Sequence, residues 1–289
     1  MTPFELVGLL PMMNRTQGSP GVKIGLIDGP VLVRHADISS DHVLEIPGSN
    51  GAGCQRAESM ACIHGTFVAG ILSALRISPA PAICPDCILV VRPVFSESPS
   101  LGSAMPSASP NELAVAVFEC IQAGVKVINL SLALAKPSIK GERALEEAFD
   151  YAVKRNVIVV AAAGNQGSLG SSAITRHPWV IPVVACDLRG RPVNMTNLGS
   201  SIGRHGLRAP GHNITSLGAG DRPLTLSGTS VAAPFVTGAI ALLMSTFPDR
   251  SAAEIKLAVT KPFSTRRPNL IPPMLNAEAS YRALANINR

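Results

Sequence analysis

Aromatic and charged residues are scarce in this 289-residue sequence. Phe, Trp and Tyr together make up 4% of it, with one Trp and two Tyr, and charged residues make up 15%. Proteins that bind nucleic acids stack aromatic side chains on the bases and hold the phosphates with dense basic patches. The formal net charge is +6, but no long run of Lys and Arg stands out. We therefore expect no nucleic-acid partner.

A secretion signal and a clear membrane span are also missing. The first ten residues include Glu5 and have no basic stretch before a short apolar run, unlike a signal peptide. The longest apolar segment, residues 231–247, contains Pro234 and Gly238 and is barely long enough to cross a bilayer. We expect a cytoplasmic protein with no membrane partner. The sequence leaves the oligomeric state open.

Six cysteines in a chain of this length do not make a disulfide-dense small scaffold. The segment from Cys84 to Cys87 is the single CxxC motif, so a four-thiolate zinc site would lack its second pair. A reducing cytoplasm favours free thiols, which are the expected state. A disulfide, either Cys54–Cys62 or Cys84–Cys87, is the alternative that the spacing leaves open.

Hydrophobic residues are plentiful, at 46% of the sequence, and they indicate a large globular core. Short runs rich in β-branched residues, typical of buried parallel strands, alternate with helical segments. This alternation predicts an α/β fold with a mostly parallel β-sheet and helices on both faces. The predicted strands cover residues 22–27, 87–95, 125–131, 157–163 and 179–185. Pro182 in the last run indicates an edge strand or a bulge.

No internal repeat or long linker divides the chain, so we interpret residues 1–289 as one domain. Residues 1–21 form an N-terminal lead-in, and residues 260–289 form an irregular and helical C-terminal tail. Between them, a helix is predicted from Ser109 to Ala123. Its start has a capping serine followed by proline, and Gly124 follows its end.

Four polar side chains stand where a predicted strand ends or a predicted helix begins: Asp28, His64, Asn165 and Ser230. Parallel α/β sheets place ligands at the carboxyl ends of their strands, so one crevice could gather all four. Acyl transfer uses such a set, with an imidazole that takes the proton of a serine, a carboxylate that orients the imidazole, and an amide that holds the oxyanion. Taken singly, the residues have plainer interpretations: a turn at Asp28, a histidine preceding a helix, and a serine helix cap.

The motifs around these residues resemble those of the subtilisin-like serine proteases, the subtilases. The four segments stand in the family's chain order: Leu26-Ile27-Asp28-Gly29, His64-Gly65-Thr66-Phe67-Val68-Ala69-Gly70, Ala162-Ala163-Gly164-Asn165-Gln166-Gly167 and Ser227-Gly228-Thr229-Ser230-Val231-Ala232-Ala233-Pro234. The resemblance covers about residues 22–247. It implies a subtilisin-like three-layer fold and a serine endopeptidase that works through an acyl-enzyme.

The resemblance also implies a role for each of the four residues. Asp28 would orient the imidazole, His64 would be the general acid and base, Ser230 would be the nucleophile, and Asn165 would be the oxyanion donor.

The family lays its substrate as an added strand against a Ser-Leu-Gly segment. Ser131, Leu132 and Ala133 stand at that place here and are expected to line the peptide site. The expected partner is a peptide or protein substrate.

Members of the family often bind calcium through an aspartate nine residues after the catalytic one and through a loop after the histidine helix. Asp37 matches that aspartate, but the loop at residues 76–81 begins with Arg76 and lacks the expected asparagine. Calcium needs several converging oxygen ligands. We expect the strong calcium site to be absent and expect no metal and no cofactor.

The motif Asp28-Gly29-Pro30-Val31 and the short lead-in resemble the subtilases that mature cyanobactin-type ribosomal peptides (RiPPs). This implies removal of the leader from a precursor peptide. A macrocyclising transpeptidase using the same acyl-enzyme is one alternative. Hydrolysis is favoured over it because no insertion between Gly70 and Ile88 would shield the acyl-enzyme from water. A catalytically silent peptide-binding scaffold is the other alternative, and the intact set of four residues argues against it.

Overall fold

The computed structural model describes residues 1–48, 51, 53–97, 108–132, 142–220, 222–260 and 269–286. Its middle layer is a parallel sheet of seven strands: β1 (Lys23–Asp28), β2 (Val43–Glu45), β3 (Ile88–Pro93), β4 (Val127–Leu130), β5 (Ile158–Ala162), β6 (Val180–Cys186) and β7 (Leu207–Pro210). They pair in the order β2-β3-β1-β4-β5-β6-β7. A separate antiparallel hairpin consists of β8 (Ile214–Ser216) and β9 (Leu224–Leu226).

The helices of the described residues are distributed along the whole chain: α1 (Pro3–Leu6), α2 (Leu10–Arg15), α3 (Met60–Ser73), α4 (Pro110–Gln122), α5 (Arg143–Lys154), α6 (Ala173–Arg176), α7 (Ser200–His205), α8 (Thr229–Thr246), α9 (Ala252–Thr260) and α10 (Ala277–Asn286). A 3₁₀ turn covers Ser40–His42.

The strands carry continuous apolar runs because both faces of the sheet are covered. Every residue of β4, β5 and β6 is buried. The α3 and α8 helices pack on one face, while α4 and α5 pack on the other. The predicted α/β fold with helices on both faces is confirmed.

The order of the strands places a crevice beside β1. From β1 the chain moves outward to β2 and β3 on one side and returns to β4 on the other. The carboxyl ends of β1 and β4 therefore flank the point where the strand order reverses, which is where open α/β sheets bind ligands.

Helix α8 runs through the interior against β4, β5, β6 and β7. Its hydropathy would suit a membrane span, but 83% of its 18-residue window is buried inside the protein. The core thus accounts for its apolar sequence. The helix starts next to Ser230, as expected, and Pro234 is its sixth residue.

Strand β6 is an interior strand, so the prediction of an edge or a bulge at Pro182 is wrong. The carbonyl of Val183 accepts from the Ala163 N–H on the β5 side, so the nitrogen of Pro182 faces the β7 side. Pairing with β7 begins only at Val183, opposite Leu207. No hydrogen-bond donor is required of residue 182, and proline is tolerated there.

The lead-in and the tail pack against each other. Val7 is fully buried, and its carbonyl accepts from the Ala277 N–H at 2.8 Å. Arg15 at the end of α2 pairs with Glu278 of α10 at 2.6 Å. Both chain ends therefore contribute to the packed structure.

Candidate active site

Asp28 ends β1 at the crevice and is fully buried. Its Oδ1 accepts from the Gly29 N–H at 2.6 Å and lies 2.7 Å from His64 Nδ1. Its Oδ2 has no partner among the described residues. The carboxylate therefore contacts the imidazole through Oδ1 alone.

His64 is the fifth residue of α3, so the expectation that it precedes a helix is wrong. The helix starts earlier because Ser59 Oγ accepts from the Cys62 N–H at 3.1 Å, which caps its first turn. The second turn lies directly on the turn after β1. A Cβ added at Gly65 would lie 2.4 Å from the Gly29 carbonyl oxygen, so only glycine lets these backbones approach.

Ser230 is the second residue of α8, and its Oγ lies 3.0 Å from His64 Nε2. Burial of the imidazole disfavours its charged form, but the charge and hydrogen bond of Asp28 outweigh this effect. Together they raise the pKa of His64 above its ordinary value of 6.5. An imidazole in this position can take the hydroxyl proton when it is in its neutral form.

Asn165 follows β5, and its orientation is fixed by Thr229. Its Oδ1 accepts from the Thr229 N–H at 2.9 Å and from the Thr229 hydroxyl at 3.0 Å. A carbonyl oxygen faces these two donors, so the amide Nδ2 faces away from them. Gly228 has φ +150°, and a Cβ there would lie 3.0 Å from Nδ2. The amide N–H₂ can therefore donate to a group in the crevice.

The structure thus brings Asp28, His64 and Ser230 into one hydrogen-bonded row, with Asn165 beside the start of α8. Ser131 and Leu132 are buried directly after β4. Ala133 lies outside the described residues.

The sequence patterns did not identify three residues near this site. Thr229 accepts from the Gly164 N–H at 3.1 Å in addition to its bonds to Asn165. Asn129 and Thr237 are fully buried and bonded to each other at 2.8 Å. Each of these two is a polar residue inside an apolar run, and buried polar groups are almost always paired. That signal could have identified them.

The cysteines depart from the expected reduced state at one pair. Cys54 and Cys62 form a disulfide with a Cα–Cα distance of 5.5 Å. Cys84, Cys87, Cys120 and Cys186 are free and buried. Among the described residues, one group of three metal-type ligands occurs, Cys54, Cys62 and Glu97. Its two sulfurs are bonded to each other, so it does not fit a zinc ion.

The loop after α3 does not fit a calcium ion. Several carbonyl oxygens meet there, but they accept hydrogen bonds from the Arg76 guanidinium. The acceptors include Thr16 at 2.9 Å and Ile83 at 3.2 Å. A fixed positive charge already bonded to these oxygens opposes the binding of a second cation.

The chain is similar to known proteins over most of its length. A model of the subtilase family matches residues 19–271. Subtilisin DY of Bacillus licheniformis is 32% identical over 249 residues, which are 84% of this chain and 84% of that protein.

Two solved structures are similar over nearly the whole chain. The protease domain of PatA is 27% identical with a TM-score of 0.82, covering 93% of this chain and 97% of that one. The prenylagaramide maturation protease PagA is 28% identical with a TM-score of 0.80, covering 96% and 98%. The subtilisin-like three-layer fold is confirmed.

Proposed function

The chain belongs to the subtilase family of serine proteases, and on that premise we propose that Asp28, His64 and Ser230 are its catalytic triad. We further propose that its substrate is a ribosomal precursor peptide, from which it removes the leader by hydrolysis. The observation that carries the first part is the hydrogen-bonded row from the carboxylate through the imidazole to the hydroxyl.

In the first half of the reaction, Ser230 Oγ attacks the scissile carbonyl carbon while His64 Nε2 takes the hydroxyl proton. The Asp28 carboxylate stabilises the imidazolium that forms, and Asn165 Nδ2 and the Ser230 N–H donate to the oxyanion. The C–N bond then breaks. His64 gives its proton to the leaving amine, and an acyl-enzyme ester remains on Ser230.

In the second half, water replaces the amine. His64 takes a proton from the water as its oxygen attacks the ester carbon, and the oxyanion again faces Asn165. The bond to Ser230 Oγ breaks, the proton passes to that oxygen, and the acid product leaves. An amine that replaced water in this step would give a transpeptidation product from the same intermediate.

The choice of substrate class is supported by the two solved structures. PagA is described as a maturation protease and the PatA structure as a protease domain, and each is matched over more than nine-tenths of its length.

The prediction that Ser131, Leu132 and Ala133 line the peptide site is part of this proposal. Their backbones would pair with the peptide as an added strand.

A fluorophosphonate probe tests the triad. Attack by Ser230 Oγ forms a Ser–P bond, fluoride leaves, and the proton goes to His64. We expect the intact protein to be labelled at Ser230 and the Ser230→Ala variant to remain unlabelled. Equal labelling of both proteins would remove Ser230 from the nucleophile role.

A pool of synthetic leader–core peptides, analysed by mass spectrometry, tests the substrate class. We expect two fragments whose masses sum to the peptide plus one water, and no product with Ser230→Ala. A core product lighter by one water would show macrocyclisation instead. Binding without any product from the intact protein would favour the silent scaffold.

A further inference from the structure

The carbonyl oxygen of Ser230 lacks its usual partner within its own helix. In an α-helix this oxygen accepts from the N–H four residues later, and here that residue is Pro234, which has no N–H. The Ser131 hydroxyl supplies the missing donor from the adjacent strand end at 3.0 Å. The first turn of α8 is thereby tied to the end of β4.

The direction of this hydrogen bond follows from its acceptor, and it sets the direction of a second bond. Because a carbonyl can only accept, the Ser131 hydroxyl must donate to Ser230. Its oxygen must then accept from Asn129 Nδ2, which lies 2.6 Å away. The amide of Asn129 is therefore oriented with its oxygen on the opposite side.

The third bond holds the amide in that orientation. The Thr237 hydroxyl lies 2.8 Å from Asn129 Oδ1 and donates to it. Asn129 and Thr237 are fully buried, and Ser131 is 2% exposed, so water does not compete for these groups. Bonds in such a buried row polarise and reinforce one another.

We propose that Thr237 and Asn129 are positioning residues for Ser230. Thr237 lies seven residues after Ser230 on the same helix. The row of bonds from Thr237 through Asn129 and Ser131 returns to the Ser230 carbonyl and holds the first turn of α8 in place. This inference rests on the proposed role of Ser230 as the nucleophile.

The consequence for catalysis is geometric. The Ser230 oxygen must stay within hydrogen-bond distance of His64 Nε2, now 3.0 Å, while its own N–H faces the oxyanion. Without the Thr237 hydroxyl, Asn129 Oδ1 loses its buried donor, and among the described side chains only the contact with Ser131 still orients the amide, so the reversed orientation becomes accessible. In the reversed orientation Asn129 Oδ1 takes the Ser131 proton, and the Ser230 carbonyl loses its donor. Small displacements of a reacting group can reduce rates by about 10²-fold.

The test compares Thr237→Val with Thr237→Ser by fluorophosphonate labelling. Valine keeps the shape of threonine without its hydroxyl, and serine keeps the hydroxyl. We expect Thr237→Val to lower the maximal labelling rate by about 10–100-fold with an unchanged half-saturating probe concentration. Thr237→Ser should restore most of the rate.

A matched control lies on the same helix. The Thr246 hydroxyl donates to the Leu242 carbonyl at 2.8 Å at the far end of α8. Thr246→Val removes the same group without touching the row of bonds, and we expect it to label at the wild-type rate. Equal rates for Thr237→Val and Thr246→Val would overturn the inference while leaving the proposed function intact.

Two further outcomes are decisive. If Thr237→Val does not fold, Ser131→Ala replaces it, because this change removes the direct donor to the Ser230 carbonyl. A wild-type labelling rate in Ser131→Ala would then refute the positioning role. Failure of the unaltered protein to label at Ser230 would overturn both the inference and the proposed triad.

Discussion

Asn165 is anchored through its carbonyl oxygen, which leaves its amide hydrogens free to donate. Both anchoring bonds come from Thr229, the residue before Ser230, at 2.9 and 3.0 Å. The donor therefore moves together with the start of α8. A donor that is already oriented would need no reorganisation when an oxyanion forms, and this would be the main source of the catalytic effect proposed for Asn165.

Replacing Asn165 by alanine should therefore affect turnover far more than binding. We expect kcat to fall by about 10²–10³-fold, the size known for such a donor in subtilisin, with little change in KM. Steady-state kinetics on a cleaved peptide measures both constants. Asn194→Ala serves as the control, because Asn194 is an exposed asparagine outside the site. Equal effects on kcat and KM would indicate a structural role for Asn165.

The raised pKa of His64 predicts the acid limit of activity. The general base must be neutral, so kcat/KM should fall as the pH drops through the pKa of the free enzyme. Because Asp28 raises that pKa above 6.5, the midpoint of the acid limb should lie above 6.5. A pH profile of kcat/KM measures it directly.

Asp28→Asn separates the causes of this shift. The substitution removes the charge and leaves the burial, which acts in the opposite direction, so the midpoint should move downward. The rate should also fall by about 10⁴-fold because the imidazole loses the acceptor that fixes its tautomer. A midpoint that stays in place would show that Asp28 does not set the pKa of His64.

At the scale of the elements, the sequence predicts best where local chemistry decides. Helix α4 begins after Ser109, whose hydroxyl accepts from the Glu112 N–H at 3.1 Å, and it ends just before Gly124, which has φ +81°. Both bounds were read from the capping serine and the glycine. Strands β1, β3, β4, β5 and β6 were predicted for a similar reason, since apolar runs between turns are typical of buried strands. Strands β2 and β7 were not predicted.

Prediction failed where distant partners decide. The strands β8 and β9 have three residues each, which is too short for the alternation of Leu224, Thr225 and Leu226 to stand out in the sequence, so pairing rather than pattern defines the hairpin. His64 is a different case, because it was placed outside α3 by overlooking the local cap at Ser59. The pairing of Cys54 with Cys62 could not be chosen from spacing, since it depends on where the loop before α3 folds.

The disulfide constrains the loop that leads into α3. We therefore expect the stability of the protein to depend on the redox state of this pair. It joins cysteines with a sequence separation of 8, for which closing the loop in the unfolded chain is worth about 2–3 kcal/mol. Reductant should lower the unfolding temperature of the wild type. The double variant Cys54→Ser, Cys62→Ala should have a lower unfolding temperature than the oxidised wild type, and reductant should not change it.

Activity should survive this reduction at moderate temperature. His64 is held by its contacts with Asp28 and Ser230, and neither contact involves a sulfur. A working reduced form is also what the cytoplasmic location expected from the sequence requires. Loss of labelling at Ser230 in the reduced but folded protein would contradict that location.

At the scale of the whole molecule, one arginine joins parts of the chain that are distant in sequence. The Arg76 guanidinium donates to the carbonyls of Met13 and Thr16 in the N-terminal lead-in and to those of Ala82 and Ile83 after α3. It thereby fastens the lead-in to the segment that follows α3, the helix that carries His64. Burial lowers its pKa, yet guanidinium stays charged throughout the working pH range.

Arg76→Met should therefore destabilise the whole fold and not one loop. Methionine fills much of the same space but leaves the partly buried carbonyls without a donor, at a cost of about 2–4 kcal/mol. Arg143→Met is the matched control, because the Arg143 side chain is 91% exposed and its ion pair contributes little. Denaturant unfolding, repeated with calcium and with a chelator, measures the free energy of unfolding of the wild type and of both variants. A calcium-dependent gain in the stability of the wild type would show that a metal ion and not Arg76 fastens these segments. Equal stabilities of the wild type and both variants under all conditions would mean that the carbonyls bind water when the arginine is lost.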